Sequence, residues 1–98
     1  MWRHGDVLIA PVPSIPEGAE KLHHTILAEG ELTGHCHRVD GAGVAELLEF
    51  RGERFLRVTA DSARVVHEEH ATITLPRGLF RVWGQREYTP TAIVAVRD

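Results

Sequence analysis

The stretch Val44-Ala45-Glu46-Leu47-Leu48-Glu49-Phe50-Arg51-Gly52-Glu53-Arg54-Phe55-Leu56-Arg57-Val58-Thr59-Ala60 decides the fold. Two apolar arms flank Arg51-Gly52-Glu53, a turn signal between segments of strand length. In the second arm Leu56, Val58 and Ala60 alternate with Arg57 and Thr59. That period of two belongs to an antiparallel strand with one face on a core and the other in water. The arms Val44–Phe50 and Arg54–Ala60 therefore read as a β-hairpin.

Outward from the hairpin the chain keeps the same rhythm. Residues 6–12 form a short β-branched apolar run opened by a Gly-Asp turn. Pro11, Pro13 and Pro16 then exclude a helix and favour an extended connection as far as Gly18. Residues 22–28 and 32–39 read as two further strands, followed by a turn at Asp40-Gly41-Ala42-Gly43. Beyond the hairpin, Asp61-Ser62 reads as a turn, 64–69, 72–75 and 79–88 as strands, and Pro76-Arg77-Gly78 as the turn before the last. Thr89-Pro90 carries the N-cap and N1 signature of a short C-terminal helix, with a final strand through Ile93, Val94 and Val96 as the alternative. Short strands at intervals of about ten residues predict an all-β fold. The expectation is one domain over residues 1–98, a small antiparallel β-barrel or sandwich, with a cupin-like barrel as the alternative.

Composition bounds the function. A chain of 98 residues, 43% hydrophobic and 26% charged, supports one hydrophobic core. No apolar run reaches the roughly 18 residues of a membrane span. A net charge of -3 without a basic block argues against sequence-independent nucleic-acid binding. The single cysteine, Cys36, excludes an internal disulfide, and the opening residues show no signal-peptide pattern. Both predict a cytoplasmic protein. The unusual count is histidine: seven, against two Trp, one Tyr and three Phe.

Two histidine clusters carry the chemistry. In Gly34-His35-Cys36-His37, residues two apart on a strand share a face. His35 and His37 would then offer two imidazoles to one metal ion, with Cys36 facing away. In His67-Glu68-Glu69-His70 the histidines are three apart, which is not the helical His-Glu-x-x-His zinc motif. On a regular strand His67 and His70 face opposite sides, and they serve one site only if a bulge or turn intervenes. Without one, the tetrad is a charged loop at a sheet edge. Together the clusters propose His35, His37, His67 and His70, with Glu69 or Glu68, as ligands of a divalent transition metal, Fe, Mn, Ni, Cu or Zn.

Other polar groups rank behind these. In Gln85-Arg86-Glu87-Tyr88, Arg86 suits bidentate binding of an anionic group and Tyr88 suits donation, so both are candidate catalytic residues; an edge strand protected by charge is the alternative. His23-His24 reads as surface, and His4 lies near the terminus without a defined partner. Cys36 between two histidines is a weak candidate thiolate.

Leu27 to Arg38, His67 to His70, Pro76-x-Gly78 and Gln85 to Pro90, with the opening Gly5-Asp6-Val7-Leu8-Ile9, together resemble a family of small uncharacterised bacterial and phage proteins. The resemblance spans nearly the whole chain and implies no activity, but it suggests that these blocks form one unit. The chain is also partly similar to cupins. Gly30…His35-x-His37 and Pro76-Arg77-Gly78 stand in the order of the two cupin motifs, with Asp40 at the glutamate position and Arg81 at the second-motif histidine.

Two functions follow from this reading. One is a small β-barrel metalloprotein, with an enzymatic role on a small anionic substrate and no membrane partner. The other is a non-catalytic module in which the same histidines and Arg86-Glu87-Tyr88 recognise a protein or RNA. A homodimer through an exposed strand edge is compatible with either.

Overall fold

The computed structural model describes residues 1–29 and 35–84. Every regular element among them is a strand: β1 (Trp2–His4), β2 (Val7–Pro11), β3 (Glu20–Lys21), β4 (Ile26–Glu29), β5 (Cys36–Asp40), β6 (Ala45–Phe50), β7 (Glu53–Val66) and β8 (Ile73–Gly84). No helix among the described residues is long and apolar enough to cross a membrane. The fold is all-β and antiparallel. Arg86, Tyr88 and the Thr89-Pro90 helix signal lie outside the described residues.

The central hairpin forms where its sequence places it. β6 and β7 pair antiparallel from Ala45↔Val58 to Phe50↔Glu53. Arg51 and Gly52 take φ of 52° and 81°, both positive, as a two-residue type I′ connection requires. Leu47 and Leu56 face each other across the ladder with no exposed surface. On the other face Arg57 donates to Glu46 Oε1 at 2.7 Å, and these two residues are also ladder partners.

β7 then runs on through a bend that the sequence reading divided into separate strands. It pairs with β8 from Arg54↔Val82 to Val65↔Ile73, with a register shift between Val58 and Ser62. Four residue steps on β7, Val58 to Ser62, oppose two on β8, Gly78 to Pro76. Extra residues on one strand of a ladder bend it and raise its twist. Gly78 holds φ at +156° in this bend, a conformation side chains disfavour. The inward face of β7 passes from Leu56 and Val58 to Ala63 and Val65, and that of β8 from Leu75 to Phe80 and Val82. Asp61-Ser62 and Pro76-Arg77-Gly78, expected as chain-reversing turns, are therefore parts of two continuous strands. Local turn chemistry is the same for a bulge and a reversal, and only long-range pairing separates them.

The strands pair in the order β1-β2-β8-β7-β5-β4, with β6 beside β7 and β3 beside β6. This path does not close into a ring among the described residues. It surrounds one core to which Val7, Ile9, Leu27, Val39, Leu47, Leu56, Val65, Leu75 and Phe80 contribute. Truncating a fully buried leucine such as Leu56 to alanine would cost about 2–5 kcal/mol.

Three features of this layout build the site. β5 pairs with the end of β7, Arg38 opposite Val66, so His37 and His67 each lie one residue past that pair. β1 and β2 form a tight hairpin with His4 opposite Val7 and Gly5-Asp6 as its turn. The segment from His67 to Thr72 bridges β7 and β8. The three meet at one end of the sheet.

Candidate metal centre

His37 is the buried centre of the group, with 6% of its surface exposed. Its ring lies 4.3 Å from that of His67 and 5.4 Å from that of His70, centroid to centroid. β7 ends at Val66 and the chain bends through residues 68–70. The bend brings the rings of His67 and His70 to 4.6 Å. The bend on which a shared site for His67 and His70 depends is present. Ligand nitrogens of His37, His67 and His70 lie within 4.8 Å of one another.

His35 and the two glutamates are arranged differently. His35 precedes β5, and its ring stands 5.6 Å from that of His67. With His67 and Glu68 it forms a second group of ligand atoms within 4.8 Å. Glu68 accepts from the Cys36 amide and from Arg38, each at 3.2 Å. Its own amide first, and these neighbours after it, hold its carboxyl below the usual range. Glu69 lies 3.8 Å from His35 Nδ1 and is mostly exposed. The sequence pairs His35 with His37, whereas His35 and His37 fall in different groups that share His67.

Two residues that the sequence reading left aside complete the cluster. His4 is only 2% exposed, more buried than His37. Its Nε2 lies 2.9 Å from the Ala71 carbonyl oxygen and its Nδ1 2.8 Å from His37 Nδ1. A carbonyl oxygen only accepts, so His4 Nε2 carries the proton. In a neutral ring Nδ1 then accepts, and His37 Nδ1 must donate to it. His37 Nε2 is left with a lone pair. Asp6 Oδ1 stands 3.8 Å from this nitrogen, a second residue the sequence did not single out.

Electrostatics agree with neutral imidazoles. Burial pushes the His37 pKa down to about 4, helped by His67 and His4 and opposed by Asp6. The His4 pKa is likewise lowered, first by burial, with the Ala71 hydrogen bond opposing. A neutral nitrogen is what a metal ion requires of histidine. His67 is committed the other way: its Nδ1 accepts from the Glu69 amide at 2.9 Å. The neutral His67 ring therefore carries its proton on Nε2, and must give up that bond to ligate through Nε2.

Gly5 explains why the hairpin turn can sit against the cluster. Its φ is +64°, and a Cβ built there would lie 2.8 Å from His70 Nε2 and 3.0 Å from His37 Cε1. A side chain at this position would require the imidazoles to shift. Only the Gly-Asp turn following His4 hinted at this in the sequence, and a turn signal does not say what packs on it.

His23 and His24 belong elsewhere, beside a shallow surface depression with Lys21, Thr25 and Glu46. His24 Nδ1 accepts from the Ile26 amide at 3.1 Å. Cys36 is half-buried, with Arg38 Nη1 3.8 Å from its sulfur.

No curated protein and no solved structure matches the chain. A family model does, over residues 3–85, a span that contains His4, Gly5, Asp6, His35, His37, His67 and His70. The chain belongs to that family, a domain of unknown function designated DUF8820.

Proposed function

We propose that this protein binds a divalent first-row transition metal through His37, His67 and His70. The observation that carries the reading is the convergence of three imidazoles, from β5 and from the bend after β7, within 4.8 Å of one another. Ligand nitrogens on a tetrahedral ion with bonds of about 2.05 Å stand about 3.3 Å apart. Side-chain movements of an ångström or so would bring the three onto one ion. All-nitrogen donors suit Zn, Cu, Ni and Fe. Three protein ligands leave a fourth position for water, Asp6 or a substrate, the arrangement of a catalytic rather than a closed structural site. The finer reading is Lewis-acid chemistry on a small anionic substrate, with Arg86 suited to bidentate binding of the anion and Tyr88 to donation. A cytoplasmic setting belongs to the same reading.

The test is elemental analysis of purified, untagged protein grown with supplemented metals, beside a His37→Ala/His70→Ala variant. About one transition-metal ion per chain in the parent, lost in the variant, is the expected result. Metal-free protein that also fails to take up Zn(II), Ni(II), Cu(II) or Fe(II) on titration sinks the reading and turns attention to a recognition surface.

A further inference from the structure

We infer that His4 is the positioning residue of this centre: through hydrogen bonds to His37 and to the Ala71 carbonyl it fixes which nitrogen of His37 faces the metal and ties the ligand-bearing segments together. The inference rests on the proposed centre and adds the part played by the N-terminal hairpin.

His4 positions and does not ligate. His4 Nδ1 and His37 Nδ1 are 2.8 Å apart. That is a hydrogen-bond distance, and shorter than the roughly 3.3 Å between two nitrogens on a tetrahedral ion. The other His4 nitrogen points at the Ala71 carbonyl at 2.9 Å. Both nitrogens of His4 are engaged, so it has no lone pair left for a metal.

The hydrogen bonds also run in one direction. The Ala71 oxygen has no proton to give, so the chain of bonds has one polarity: Ala71 carbonyl, His4 Nε2–H, His4 Nδ1, H–Nδ1 of His37. At its far end His37 Nε2 presents its lone pair beside Asp6, His67 and His70. Metal-bound histidines in general donate their second nitrogen to an acceptor that sets tautomer and ring orientation. A carboxylate or carbonyl usually plays that part, and here a neutral histidine does.

His4 also joins separate segments of the chain. Ala71 directly follows His70 in the chain, His37 lies on β5 and His4 on β1. β1 is a three-residue strand at the end of the sheet, paired with β2. One side chain therefore couples the terminal hairpin to both ligand-bearing segments, and Gly5 lets that hairpin approach the rings. Freeing His4 would release the orientation of His37 and the placement of His70 together.

Two measurements on the full chain test this. Nitrogen NMR of histidine-labelled, metal-free protein at slightly alkaline pH reads tautomers directly. The expected spectrum shows His37 protonated on Nδ1 and bare on Nε2, a signature lost in His4→Phe; His37 protonated on Nε2 in the parent overturns the inference whatever the metal does. Zn(II) affinity by chelator competition is the second. His4→Phe keeps the ring's bulk and loses both bonds, with an expected loss of about 10–100-fold. His4→Asn places an amide oxygen near the position of Nδ1 and should recover much of that loss. Parent-like affinity in a folded His4→Phe protein overturns the inference and leaves the centre standing, whereas no Zn(II) binding by the parent overturns the centre itself. Should His4→Phe fail to fold, His4→Asn decides: bound Zn(II) with His37 still bare on Nε2 supports the relay, and a switched tautomer at unchanged affinity overturns it.

Discussion

His67 stands between two groups of ligands that are chemically unlike. On one side His37 is buried, its Nδ1 held by His4 and its Nε2 left with a lone pair. On the other, His35 is half-exposed and Glu68 is already satisfied by the Cys36 amide and Arg38. A cation entering the first group meets a His37 nitrogen that burial has kept unprotonated, with His67 and His70 beside it. A cation entering the second must compete with a guanidinium already paired to the carboxylate. The same count of donors thus gives one place prepared for a positive ion and one already neutralised. Proximity of ligand atoms alone does not make a metal site; His37 Nε2 offers an unspent lone pair, whereas Glu68 has already spent its own.

The sharpest way to break this contrast is to remove one histidine from each group. His70 is exposed, so His70→Ala should leave the core intact and still lower Zn(II) affinity by more than about 100-fold, beyond what a supporting residue costs. His35→Ala should change it by less than about threefold, on the order of 0.6 kcal/mol. Chelator competition on both proteins gives the comparison. Equal losses would mean that the ion sits across both groups, with His67 central, and the distinction drawn above would fall.

Gly5 tests whether the first group depends on the close approach of the β1–β2 turn. Gly5→Ala places a methyl 2.8 Å from His70 Nε2 on a backbone with φ of +64°. The expected cost is about 1–3 kcal/mol of stability, with a clear loss of metal affinity. Gly43→Ala supplies the control, since Gly43 has φ of +76° and nothing within 4 Å of a built Cβ. It shares the backbone strain without the collision, so it should lower the melting temperature and leave affinity unchanged. A Gly5→Ala protein that behaves like Gly43→Ala would show that the turn does not shape the centre.

Acid sharpens the same contrast in metal-free protein. His37 and His4 have folded pKa values below the ordinary 6.5, about 4 for His37. The unfolded chain therefore binds more protons than the native one below pH 6.5. Stability is complete above that pH and declines as pH falls from about 6.5 towards 4. At about 1.4 kcal/mol per pKa unit, His37 contributes a loss on the order of 3 kcal/mol. Urea titrations at several pH values should show the decline in the parent and a shallower one in His37→Gln. A parent whose stability is flat over this range would mean that its buried histidines are not held neutral.

How much of this the sequence disclosed depends on the range of the forces involved. The β6–β7 hairpin was legible because alternation and an Arg-Gly turn are local, and pairing followed them residue by residue. The bend inside β7 and β8 was not, since Pro76-Arg77-Gly78 reads alike in a reversal and in a bulge. For the site, the three-residue spacing of His67 and His70 made a shared site conditional on a turn between them, while the strand read over 64–69 in fact ends at Val66. Pairing His35 with His37 by strand parity missed that His35 lies before β5 begins. His4 could not be found by any spacing rule: it is 33 residues from His37 and 67 from Ala71. Its partner is chosen by the curl of the sheet, which brings β1 to β5 although β2, β8 and β7 stand between them in the strand order.

The smallest expected effect is at Glu68, and it separates chemical role from proximity most cleanly. Glu68→Gln keeps the shape and one carbonyl acceptor for the Cys36 amide while removing the charge that faces Arg38. Both partners of that ion pair are about two-fifths exposed, a setting in which such pairs contribute less than about 1 kcal/mol. Stability should change little. If Glu68 only neutralises Arg38, Zn(II) affinity should stay within about twofold of the parent, a shift near 0.4 kcal/mol. It would fall slightly rather than rise, because the uncovered guanidinium repels the incoming cation across the His67 side of the cluster. A loss of tenfold or more on chelator competition would instead make Glu68 a ligand. The boundary between the two groups would then run through the salt bridge, with Arg38 displaced whenever metal binds.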